Sequence, residues 1–187
     1  MYDVSRLRTT IIPKSDQLNS EQLITGPITI NITDVKTGSA EQPIIINYEG
    51  DEGRPYKPCK TMRKVLIFAW GDDGFTWPGK ALTLYCDDSV KFGGAQVGGI
   101  RISHMSDITR DIALSLTATR GKKVIHTVKR LVIDHAANIS QAPDIASLKA
   151  AFKTAYRAAA DDDSKVEFKI AYDARMAELT KQPEQAA

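Results

Sequence analysis

The run Gly74-Phe75-Thr76-Trp77-Pro78-Gly79-Lys80-Ala81 nearly spells the phosphate-binding loop G-x-x-x-x-G-K-[ST]. That chemistry needs a hydroxyl for Mg²⁺, free amides around the phosphates and a strand-to-helix setting. Ala81 lacks the hydroxyl, Pro78 removes an amide, and the segment follows a helical pattern and opens a strand-like one. Nucleotide hydrolysis is therefore not expected. Cys59, Cys86, His104, His126 and His135 show neither C-x-x-C nor H-x-x-x-H spacing, which argues against zinc. Cys86 precedes Asp87-Asp88, whose charge raises a thiol pKa, and no G-x-S-x-G occurs. Asp72-Asp73 and Asp87-Asp88 are adjacent acids of the kind usually solvated in loops. A metal-dependent nuclease would need carboxylates gathered from several strands.

The remaining constellation is basic and aromatic. Arg54, Tyr56, Lys57, Lys60, Arg63 and Lys64 fall within eleven residues, and Trp77, Lys80, Tyr85, Lys91, Phe92 and Arg101 follow. Residues 51–134 carry 14 Lys and Arg against 9 Asp and Glu, while the flanks are slightly acidic; the net charge of +2 conceals this. Binders of single strands need cations to track the backbone and open rings on which bases stack, at about 1–3 kcal/mol per base. The expected phosphate contacts are Arg54, Lys57, Lys60, Lys64, Lys80, Lys91 and Arg101. The expected stacking rings are Tyr56, Trp77, Tyr85 or Phe92.

The elements that must position these residues follow from periodicity. Ile28, Ile30 and Ile32 alternate with Thr29, Asn31 and Thr33, a strand; residues 44–48 read as its hairpin partner. Met62, Val65, Leu66, Ala69 and Trp70 recur at helical spacing with Lys60, Arg63 and Lys64 opposite, and Gly71 ends that helix. Residues 81–85 alternate again, so Thr83 and Tyr85 face away from Leu82 and Leu84. Arg101 and Ser103 likewise oppose Ile100 and Ile102. Glycine pairs at 93–94 and 98–99 predict bends within strands. Residues 114–118 and 124–128 predict a hairpin with a basic tip, Arg120-Gly121-Lys122.

A linker is expected over 134–143. Two helices, capped at Asp144 and near Asp161 to Ser164, follow it. The fold class is thus mainly β with helices (α+β). The best single architecture is an OB-like, partly closed β-barrel over 27–133 with one embedded helix. An N-terminal arm over 1–26 precedes it, and a C-terminal helical hairpin over 144–180 follows.

The segment Glu49-Gly50-Asp51-Glu52-Gly53-Arg54-Pro55-Tyr56-Lys57-Pro58-Cys59-Lys60-Thr61-Met62, with Ala69-Trp70-Gly71, resembles a family of small proteins of temperate phages and prophages of proteobacteria. So do Leu82-Thr83-Leu84-Tyr85, Val90-Lys91-Phe92-Gly93-Gly94 and Val97-Gly98-Gly99-Ile100-Arg101-Ile102-Ser103-His104-Met105-Ser106. Genes of that family lie among recombination and replication functions. A looser likeness is to phage OB-fold single-stranded DNA-binding proteins. The resemblance implies a non-catalytic accessory protein for recombination or replication that binds single-stranded DNA. Its partners would be a phage recombinase or exonuclease, or a second copy through the C-terminal helices. The alternative is a protein-interaction module, such as an inhibitor of a host defence or nuclease complex, with the basic helix face meeting an acidic protein surface.

The chain's 187 residues, 42% hydrophobic and 26% charged, have ordinary globular composition and only two cysteines. The longest apolar run is far below a membrane span, and no apolar leader opens the sequence. The host bacterial cytoplasm is the expected setting, with no membrane and no cofactor.

Overall fold

The alternation read at Ile28 to Thr33 organises the sheet. Ile30 and Ile32 are buried while Thr29 and Thr33 are exposed. The computed structural model describes residues 13–92, 95–119, 122–159 and 161–181. The glycine pair at 93–94 and the hairpin tip at 120–121 lie outside them. The chain divides into two compact units between Leu131 and Val132.

The first unit is α+β. Its strands are β1 (Ile28–Thr37), β2 (Ile44–Tyr48), β3 (Ala81–Asp87), β4 (Lys91–Phe92), β5 (Ala95–Gln96), β6 (Gly99–Met105), β7 (Ile112–Thr119) and β8 (Lys122–Arg130), with helix α1 (Lys60–Trp70) between β2 and β3. Six of them form a mixed sheet in the order β2-β1-β3-β6-β8-β7, and β4 pairs with β5 as a short ribbon. Among the described residues only β6 and β8 pair in parallel. The core joins Ile30, Ile32, Leu82, Leu84, Ile102, Met105 and Val128 to Met62, Val65, Leu66 and Trp70 of α1. The helix therefore buries the apolar stripe its spacing implies. Gly71 takes φ +84° and stops it, its N–H returning to the Ile67 carbonyl. Ser106 is the buried polar exception. Its hydroxyl accepts the Ala81 N–H at 2.9 Å, and its carbonyl accepts the Trp70 indole N–H at 2.8 Å.

The expected barrel is not closed: β2 and β7 are the two end strands of an open sheet, and no ladder joins them among the described residues. The chain itself occupies the outer side of β2. Ile46 and Tyr56 exchange both backbone hydrogen bonds at 2.9 Å, which removes the middle of that edge from pairing. The expected N-terminal arm, where it is described, carries a 3-10 turn at Ser20–Leu23 and packs on this unit. Leu18 and Leu23 are buried in the core, and the Leu18 N–H donates to the Pro55 carbonyl at 3.0 Å.

The second unit holds α2 (His135–Ser140), α3 (Ile145–Ala158) and α4 (Asp162–Lys181). The expected helical pair is present, capped where Asp144 and Asp161 accept the Ser147 and Ser164 amides, each at 2.7 Å. The expected linker instead contains α2, capped by Asp134. Ile139, Ala142, Leu148 and Ala155 form this unit's core, against Phe152, Phe168 and Tyr172. No helix among the described residues is long and apolar enough to cross a membrane.

Candidate nucleic-acid interface

Sheet register brings several polar side chains to one face. Thr29 opposes Thr83, Thr83 opposes His104, and His104 opposes Lys129, a row across β1, β3, β6 and β8. Directly opposed residues share a face; Thr29 and Thr83 hydrogen-bond at 2.8 Å. One step along, Tyr85 opposes Arg101 on the same face. The ladder shifts at this step, and Ser103 is the extra residue on β6. Its hydroxyl donates to the Thr83 carbonyl at 3.3 Å and meets His104 Nδ1 at 2.9 Å. On β8 the residues Lys123, Ile125, Thr127 and Lys129 alternate onto this face, and all four are exposed.

A groove forms where the sheet parts. β6 and β8 pair only at His104–Lys129 and Met105–Arg130. Beyond that point side chains replace the missing strand bonds at Ile102: its N–H donates to Met62 Sδ at 3.3 Å, and His126 Nε2 meets its carbonyl at 2.9 Å. The resulting groove has a volume of about 230 Å³. Tyr85, Asp87 and Arg101 line one side, and Val124, Ile125 and His126 the other.

The electrostatics of this groove are set by burial and one ion pair. Burial raises the Tyr85 phenol, and Asp87 adds to the effect. Asp87 is pushed up by burial, but the Ser89 hydroxyl and amide and the Arg101 charge outweigh it and hold the carboxyl low. Arg101 Nε stands 3.5 Å from Asp87 Oδ2. His126 is lowered, first by burial and then by Arg101. Cys86 is raised by burial and by Asp88, as its place before two acids implies. No group of three or more His, Cys, Asp or Glu that could hold a metal ion occurs among the described residues.

The residues singled out from the sequence do not share one channel. Tyr85 and Arg101 lie at the groove. Tyr56 is fully buried, and Trp77 is 3% exposed with its ring edge-on to Trp70 at 6.0 Å between centroids, so neither ring is open to a base. Both were pulled inward because core packing rewards large rings more than alternation around prolines can resist. Lys57 is held by Asp16 at 2.7 Å, Arg54 pairs with Glu52, and Lys80 lies over the Trp70 ring at 5.3 Å. Lys60 and Lys64 are exposed on the outer face of α1, and Lys91 is exposed on β4. The Phe92 side chain lies outside the described residues. Sequence reading missed His104, Lys123, Ile125 and Lys129. The signal for the three on β8 was that strand's period-2 run, which the basic hairpin tip overshadowed; His104 reaches this face only through the bulge at Ser103.

No protein-family model, curated protein or solved structure matches this chain.

Proposed function

We propose that the protein binds single-stranded nucleic acid without catalysis, on the face of β3, β6 and β8. The observation that carries this is the register that sets Tyr85, Arg101, His104 and Lys129 on one open face beside the β6–β8 groove. Exposed lysines on β8 track phosphates, while Tyr85 and His104 offer rings to bases. An OB-like architecture belongs to the same proposal. Five strands run in the order β1-β3-β6-β8-β7 with β6 and β8 parallel. OB folds are five-stranded, partly open Greek-key barrels that bind oligonucleotides on the face of their second and third strands, here β3 and β6. In the setting that the phage resemblance implies, the role is that of an accessory factor in recombination or replication.

A fluorescent single-stranded oligonucleotide titrated at several salt concentrations tests the reading. Affinity should fall with salt at a slope near 0.7 per neutralised phosphate, and Lys123→Glu with Lys129→Glu should flatten that slope. Absence of binding at low salt rejects the proposal.

A further inference from the structure

A second concave surface lies away from the β6–β8 groove and is independent of the strand-binding reading. α1 presents Lys60, Arg63, Lys64 and Ile67 at i, i+3, i+4 and i+7, one face of the helix turned from the core. Between this face and the β1–β2 hairpin runs a groove of about 440 Å³. Its apolar lining comes from Val35, Ile44, Ile67 and Trp77. Gly74 lines the groove beside Val35, whose methyl would stand 3.2 Å from an added Cβ.

Three features point to a ligand. None of the three cations has an ion-pair partner among the described residues; Asp72, the acid on the rim, does not pair with them. The Arg63 Nε is buried with no hydrogen-bond partner, and so is the Trp77 Nε1. The floor is aliphatic with Trp77 in it, while the rim is cationic. A sugar–phosphate chain would satisfy the rim and leave the floor empty. A peptide with carboxylates beside a bulky apolar side chain satisfies both.

We propose that this groove docks an acidic segment of a partner protein, with an apolar anchor against Ile67 and Ile44 and carboxylates on Lys60, Arg63 and Lys64. The acidic start of α4 in a second copy is a poorer occupant. Its Asp161 already caps Ser164, and its Asp162 already pairs with Lys165 at 2.8 Å.

The test is a fluorescein-labelled peptide, Glu-Asp-Glu-Leu-Asp-Phe-Glu, titrated into the full chain and followed by anisotropy and by amide chemical shifts. Micromolar binding with shifts confined to α1 and the β1–β2 hairpin supports the proposal. Lys60→Glu with Lys64→Glu should weaken binding at least about tenfold at unchanged circular dichroism, since like charges then face each other. Replacing Leu and Phe of the peptide by Ala should do the same. Ile67→Asp provides a separate arm that leaves both lysines intact and should also weaken binding. Any of four outcomes overturns the proposal: no binding, binding indifferent to charge reversal or to loss of the apolar side chains, displacement of the peptide by an oligonucleotide, or self-association abolished by the lysine reversals.

Discussion

The thioether of Met62 accepts the amide N–H of Ile102 at 3.3 Å, in the place a neighbouring strand would fill. Helix α1 thus substitutes for β8 where β8 leaves β6, and the groove beside Tyr85 depends on that substitution. Met62 is fully buried. Met62→Leu keeps the volume but strands a buried N–H, at about 1–3 kcal/mol. Met62→Ala adds a cavity and should cost about 2–5 kcal/mol. Urea denaturation of the two variants measures both. No loss in Met62→Leu would mean that Met62 acts by volume alone.

Stability should depend on pH through His126. Its folded pKa lies below the ordinary 6.5 because burial disfavours the imidazolium, with Arg101 adding repulsion. Above 6.5 both folded and unfolded states hold the neutral ring, and its contribution is fully present. As pH falls below 6.5 the unfolded chain takes up the proton first, so stability declines until the folded pKa is passed. Urea midpoints compared at about pH 7.5 and 5.5 should drop in the parent and drop less in His126→Gln, which keeps a donor for the Ile102 carbonyl. An identical drop in both proteins counts against His126 as the origin.

Tyr56 buries a hydroxyl that has no hydrogen-bond partner. Tyr56→Phe should therefore leave stability unchanged or raise it by up to about 1 kcal/mol, because the desolvation cost of an unpaired polar group disappears. Burial also raises its phenol above the ordinary 10.0. Ionisation of the unfolded chain thus removes stability as pH climbs past 10, and the Phe variant should lose less there. Thermal melts at pH 7 and pH 10.5 provide the measurement.

The two aromatic positions Trp77 and Tyr85 should separate cleanly in strand binding. Trp77 is sealed against Trp70, whereas Tyr85 opposes Arg101 on the open face. Trp77→Phe should leave oligonucleotide affinity unaltered. Tyr85→Ala should weaken it by about 1–3 kcal/mol, the worth of one stacked base. A large loss from Trp77→Phe in a folded protein would relocate the interface.

Much of the architecture was legible because its physics is local. Ile28 to Thr33 alternate because one face of β1 faces the core and the other faces water. Met62, Val65, Leu66 and Trp70 recur at helical spacing because one side of α1 is buried. Gly71 ended the helix in the sequence and in space, and Asp144 capped α3 in both. Helix α2 was not legible: six residues with one buried side chain, Ile139, are too short to show a period. The site was legible only in part. Alternation along β3 and β6 correctly turned Tyr85 and Arg101 away from Leu84 and Ile102. Ser103 fell out of that alternation because a bulge, which leaves no mark in composition, sits between β3 and β6.

What the chain's order of residues determined by itself is the long strands and helices, the buried face of β1, β3 and α1, and the absence of a C-x-x-C or H-x-x-x-H zinc spacing or an intact phosphate loop. What only the tertiary structure decided is which strands are neighbours. The parting of β6 from β8, the self-bridging of Ile46 by Tyr56 and the burial of Tyr56 and Trp77 all arise from contacts between residues far apart in sequence. Such contacts depend on register, volume and strand direction, and periodicity, a property of near neighbours, carries none of these.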